Sequence, residues 1–104
     1  MIIYVDIDET ICSHSDKSEG PRDYADANPL IDRISKINAL YEQGNTIVYW
    51  TARGTVTGIN WREVTERQLK DWGAKHHELK MGKPAYDLFI YDKNINSETF
   101  FKGE

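Results

Sequence analysis

A single cysteine, Cys12, leaves the chain without an internal disulfide, so the fold must rest on packing and hydrogen bonding, and a reduced, intracellular setting is expected. No base adjoins Cys12 to activate its thiol, which favours a small, partly buried role over a nucleophilic one. An excess of positive charge is also missing. Lys and Arg number 13 against 17 Asp and Glu, a formal charge of −4, and with no basic stripe this argues against a nucleic-acid partner. No apolar run approaches the roughly 20 residues of a membrane span. Met1 leads straight into a strand-like segment without a charged start and apolar block, so no membrane partner and a cytoplasmic location are expected. Repeats, low-complexity tracts and linkers are absent, and 104 residues make one domain, 1–104, with a single small core.

What is present is organised around Ile2-Ile3-Tyr4-Val5-Asp6-Ile7-Asp8-Glu9-Thr10, an apolar, strand-favouring run that delivers two carboxylates two positions apart. The lack of polar alternation from Ile2 to Val5 predicts a strand covered on both faces in a parallel sheet. Two acids closing such a strand are costly to bury alone, and a divalent cation such as Mg2+, which takes hard oxygen ligands, is the most economical partner. An acid that merely caps a turn would account for one of them, less well for both.

Residues 12–27 are polar and hold Gly20 and Pro21, which predicts a long loop with room for a short hairpin, and long loops in compact domains are usually functional. Asn28 as cap and Pro29 at the first helical position predict a helix start. Leu30, Ile31, Ile34, Ile37, Leu40 and Tyr41 carry it at helical spacing, and Gly44 ends it. Thr46–Trp50 is the second expected strand, ending at Thr51-Ala52-Arg53-Gly54. A polar loop over 55–60 precedes a second helix from about Trp61 to Trp72, closed by Gly73. Residues 75–79 form a weak third strand, and Leu88-Phe89-Ile90-Tyr91 a stronger fourth with Asp92 at its end. A turn or two of helix, with Ser97 as cap, finishes the chain.

This order predicts an α/β domain with an open, mostly parallel sheet of about four strands in the order 4-1-2-3 and right-handed crossovers. Ligands bind such sheets beyond the carboxyl ends of the strands, where the order reverses. There Asp6, Asp8 and Asp92 converge, with Thr51 arriving from the next strand. A carboxylate in that place can attack phosphorus, with Asp6 the natural nucleophile and Asp8 the acid/base. Mg2+ held by Asp6 and Asp92 would neutralise the transferring group. Thr51 and a lysine, Lys80 or Lys83, would stabilise phosphoryl oxygens, and Arg53 would either grip an anionic substrate or pair with an acid of the first loop. His14, His76 and His77 read as ordinary strand histidines, and Trp50, Trp61 and Trp72 as core.

DIDET, YWTARG and GKPAYDLFIYD, in this order, resemble the motifs of the haloacid dehalogenase (HAD) superfamily of phosphatases, over nearly the whole chain. The likeness is closest to the small capless members found with capsule and lipopolysaccharide biosynthesis. It implies a three-layer Rossmann-like fold and a Mg2+-dependent phosphomonoesterase acting on a small phosphorylated metabolite such as a sugar phosphate. Asp6 is then the nucleophile, Asp8 the acid/base and a metal ligand through its backbone, Thr51 the phosphate-binding residue, with Ala52, Arg53 and Lys80 beside the substrate. Lys83, which precedes Pro84, matches the catalytic lysine, and Asp92 the late metal acid. Two positions depart from the pattern: Tyr91 stands where an acid often pairs with Asp92, and Glu9 where Gly is frequent. Capless members select substrates through loops, here 12–27 and 55–60, through partner subunits, or both, which leaves room for a homo-oligomer. A polynucleotide 3′-phosphatase and a phosphate-binding module without turnover are the alternatives. A receiver domain fits less well, because no apolar strand ends in a phosphoacceptor acid between Asp8 and Thr51.

Overall fold

The computed structural model describes residues 1–14 and 23–102, so half of the loop predicted over 12–27, including Gly20 and Pro21, lies outside the described residues. Three parallel strands form the sheet: β1 (Ile2–Val5), a central strand (Thr46–Trp50) and an edge strand (Glu78–Lys80), with Ile2 opposite Thr46 and Tyr49 opposite Leu79. In chain order the elements are β1, β2 (Cys12–Ser13), β3 (Asn28–Pro29), α1 (Ile31–Glu42), β4 (Thr46–Trp50), α2 (Arg62–Asp71), β5 (Glu78–Lys80) and α3 (Ser97–Phe100), with a 3-10 turn at Tyr24–Asp26.

Side chains alternate across a strand, and this alternation locates the core. Ile3, Val5, Ile47, Tyr49 and Leu79 face one side, where they meet Ile34 and Ile37 of α1, Leu69 of α2 and Phe101. Both long helices therefore cover the same face. The opposite face carries Ile2 and Tyr4, both exposed, and the half-buried Trp50. Among the described residues the domain has two layers, not the expected three.

Three expectations shift, while the glycine exits from both long helices hold. Asn28 and Pro29 pair antiparallel with Ser13 and Cys12 and do not cap α1. The helix instead starts at Ile31 behind Leu30, because the short hairpin offers these two residues backbone partners first. Gly44 and Gly73 do follow their helices with positive φ, 94° and 68°, the left-handed exit that glycine favours. The third strand falls at Glu78–Lys80, at the end of and just past the predicted 75–79. Ser97 is the first residue of α3, and Asn96 caps it by accepting from the Glu98 N–H.

The fourth strand is the large correction. Among the described residues Leu88–Tyr91 has no sheet partner, and its side chains are exposed. The observed order is β1-β4-β5, with β1 at an edge, so the 4-1-2-3 order and the crevice between strands one and four are not formed within one chain.

The turn after β4 is the backbone feature least tolerant of change. Gly54 has φ 81°, and a Cβ there would overlap the Ile59 carbonyl oxygen. Gly54→Ala should lower unfolding stability on the order of 2 kcal/mol, combining left-handed strain with a steric clash. Urea unfolding checks this, and an unchanged midpoint would mean that the turn is not fixed as described.

Candidate active site

Beyond the carboxyl ends of β1 and β4 lies an open cleft of about 340 Å3, lined by Asp6, Asp8, Tyr24, Ala52, Arg53, Lys83 and Tyr86 together with Pro84 and Ala85. Sequence-distant residues reach it because parallel strands all point their ends the same way. Strand β1 supplies the two acids in sequence: Ile7 between them is fully buried, so Asp6 and Asp8 are fixed on either side of a core anchor. The chain then turns through Glu9, whose φ is 61°, a left-handed conformation that explains why glycine suits this position better.

Asp6 and Lys83 face each other across the cleft, Lys83 Nζ lying 3.6 Å from Asp6 Oδ1. Burial raises the carboxyl above its ordinary pKa, and the Lys83 charge offsets only part of that rise. Its side chain is still 41% exposed, so an incoming group can reach it. Lys83 is positioned by its backbone, since its N–H donates to the Thr51 carbonyl and its own carbonyl accepts from the Thr55 hydroxyl. Between the two lysines left open by the sequence, only Lys83 lines the cleft. Lys80 Nζ donates instead to the Tyr4 hydroxyl at 2.9 Å, which draws it onto the helix-free face of the sheet.

Asp8 is placed in a different environment. Arg53 grips it with two donors, Nε to Oδ2 at 3.0 Å and Nη2 to Oδ1 at 2.9 Å, and His14 Nε2 lies 2.7 Å from Oδ1. Burial pushes this carboxyl up, but the Arg53 and His14 contacts together hold it below the usual carboxylate range. The two acids, two residues apart, are thus driven in opposite directions. Such a separation is how neighbouring carboxylates take different chemical roles.

Arg53 lines the cleft, but its guanidinium is committed to groups within the protein. Its side chain is fully buried, and Nη1 donates to Thr65 Oγ1 and Gln68 Oε1 at 3.0 and 2.5 Å. With Asp8 on the remaining donors, the guanidinium fork is saturated inside the protein. It lies over the Tyr24 ring at 4.9 Å, and Gln68 donates onward to the Tyr24 carbonyl at 2.6 Å. Thr51 is also turned inward, 1% exposed, with its hydroxyl accepting from the Arg53 N–H. It shapes the turn without facing the cleft. Asp92 is exposed and outside the cleft lining, because the segment that should carry it never joins β1.

The sequence reads His14 as an ordinary strand histidine and gives no signal for Tyr24, whereas the structure puts the His14 ring on Asp8. His14 sits on β2's exit, two residues from Cys12, and its Nδ1 has no partner among the described residues. His76 and His77 lie just before β5 and not on it as expected, and their contacts are structural: His77 Nδ1 accepts from the Ile47 N–H and its ring stacks on Tyr41, and His76 meets the Tyr49 ring edge-on.

Two sets of groups could hold a metal. Asp8, Cys12 and His14 bring one ligand atom each within 4.8 Å of one another. This trio does not suit a cation, because the Arg53 guanidinium already sits on Asp8 and reaches the Cys12 sulfur, and burial and Asp8 push the thiol up to about 12. The second is the Asp6 carboxylate on the cleft wall, a hard oxygen ligand of the kind a divalent cation takes together with water. Asp6 is desolvated without full compensation, the condition a cation would relieve.

Since Asp8 is depressed in the folded state, it contributes stability above the unfolded carboxyl value of about 3.9, lost as pH falls through the lower folded value. Asp8→Asn should therefore flatten the acid limb of a urea-stability profile between roughly pH 5 and 2. Arg53→Met leaves the Asp8 carboxylate with His14 as its remaining ion-pair partner and should cost about 3 kcal/mol at neutral pH. Equal acid slopes in wild type and Asp8→Asn would show that the pair contributes nothing to folding.

No family model matches the chain, and no curated protein does. Its fold is similar to that of a crystal structure of a structural-genomics target from Vibrio cholerae, 24% identical, with a TM-score of 0.79 over all of this chain and 89% of that one. That likeness establishes the α/β fold.

Proposed function

We propose that the cleft hydrolyses phosphomonoesters of small metabolites, with Asp6 as nucleophile, in the manner of a capless HAD phosphatase. The observation that carries this reading is the Asp6–Lys83 pair: an accessible, under-compensated carboxylate opposite a fixed ammonium at the carboxyl end of a parallel sheet. The carboxylate attacks phosphorus as the alcohol departs, and Lys83 balances the charge gathering on the phosphoryl oxygens. Asp6 and the Asp8 carbonyl would hold Mg2+, whose chemistry is to neutralise the phosphoryl group as two anions meet. Asp8 gives its proton to the departing alcohol oxygen and takes one back from the water that releases phosphate, so both half-reactions balance, and its lowered pKa favours the second. His14, 2.7 Å away, can take the proton onward. A sugar phosphate of capsule or polysaccharide biosynthesis suits a cleft of this size, walled by Tyr24 and Tyr86.

One observation favours a second reading. Asp92 lies outside the cleft in a single chain, as expected of a phosphate-binding module that does not turn over. A phosphate-release screen over sugar phosphates, nucleotides and a 3′-phosphorylated oligonucleotide, with and without Mg2+, separates the readings. Release from small phosphates only with Mg2+ is expected. No release from any ester selects the binding module, and release from the oligonucleotide alone selects the polynucleotide 3′-phosphatase.

Asp6→Asn should abolish turnover without weakening the fold. The Asp6 pKa is raised on folding, so above that value its ionised form costs stability, and an amide removes the cost. Its melting temperature at pH 7 should equal or exceed that of wild type. Asp8→Asn should slow turnover by ~10²-fold or more. Near wild-type phosphatase activity in Asp6→Asn would eliminate the covalent route.

A further inference from the structure

Two features of the chain are each incomplete and match one another. Strand β1 is bonded on one side only, and on its outer side no strand pairs with it among the described residues. Ile2 and Tyr4 on it are 72% and 48% exposed. Leu88-Phe89-Ile90-Tyr91, a strand-favouring run, is 75%, 50%, 88% and 50% exposed. A bare hydrophobic edge and an unpaired apolar segment of this kind recruit strands.

The segment cannot fill the edge of its own chain and also present Asp92 to its own cleft. For Asp92 to reach the level of Asp6, the segment must run parallel to β1 with Leu88 level with Ile2. Lys83, however, continues β5: Thr51 donates to the Lys80 carbonyl and accepts from the Lys83 N–H. From there the start of the open edge lies about 21 Å away, roughly 16 Å back along the strands and 14 Å across three strand spacings. The five residue steps from Lys83 to Leu88 span at most ~18 Å when fully extended. The far end is tied as well, since Phe101 is buried in the core and Lys36 Nζ donates to the Phe100 carbonyl at 2.8 Å. Both anchors hold the segment out as a loop.

We propose that two copies of this chain form a two-fold dimer in which Leu88–Tyr91 of each adds to the open edge of β1 of the other. The tether restriction vanishes between chains, and the exchange is self-complementary, as a two-fold interface must be. The six side chains offer on the order of 700 Å2 per copy at their observed exposures. Two copies then bury about 1,400 Å2, within the ~1,200–2,000 Å2 of stable, specific interfaces. The added strand brings the partner's Asp92 to the mouth of the cleft beside Asp6, so each site is completed by the other copy. The role of Asp92 rests on the phosphatase reading; the exchange itself rests on the edge and the segment.

Light scattering on size-separated wild type from about 1 to 100 µM should give twice the chain mass. Ile90→Asp, with Leu88→Lys as a second variant should the first misfold by circular dichroism, should give the single-chain mass with helix content kept. A monomeric wild type, or a dimer that survives the folded variant, overturns the proposal. Co-refolding Asp6→Asn with Asp92→Ala supplies the test of completion. Each variant alone is defective, but half of the randomly paired dimers carry one intact site out of two, so about a quarter of wild-type phosphate release should return. In a dimer that releases phosphate, failure to regain activity overturns strand exchange as the source of Asp92. If wild type releases phosphate from no ester, the phosphatase reading falls, and the masses of wild type and variants alone decide the exchange.

Discussion

The buried Arg53 guanidinium is the interaction on which the rest of the site depends. It joins Asp8 after β1, Thr65 and Gln68 of α2, and the ring of Tyr24 from the first loop. Three segments distant in sequence are thereby fixed around one cation. A charge so deep is tolerated only when its donors are met with good geometry. The same contacts decide the chemistry of the two acids, because a carboxylate held by Arg53 cannot share the role of one left facing a cleft.

That division gives the site its polarity. Asp6 carries the cost of burial toward the open side and meets Lys83, whereas Asp8 is stabilised from the inner side and meets His14. Thr51, whose hydroxyl caps the Arg53 N–H, serves the turn that delivers the guanidinium. Its place is architectural, and Gly54 one position beyond Arg53 provides the left-handed exit.

Much of this was legible from residue patterns, for physical reasons that vary by element. Strands β1 and β4 are dense, β-favouring apolar runs, and α1 and α2 have helical spacing closed by Gly44 and Gly73, so local signals agree with the global fold. Asp6 and Asp8 could be placed because they directly follow a strand. The environment of Arg53 could not, since its partners Thr65 and Gln68 reveal themselves only when α2 packs on the first face. His14 reads as an ordinary strand histidine because a hairpin two residues long on each side is too short to show in sequence that its ring meets Asp8. Leu88–Tyr91 is the instructive failure. Its β propensity is real, but propensity does not say whether a partner edge is within reach of the tether.

The central claim is that Asp6 becomes covalently phosphorylated. Acid-quenching the protein while it is incubated with a phosphate ester and Mg2+, followed by peptide mass mapping with fragmentation, is the sharpest test. An added phosphoryl group on the peptide containing Asp6, absent from Asp8 and absent without Mg2+, is the predicted result. Turnover with no adduct on Asp6, or with the adduct on another residue, would contradict it.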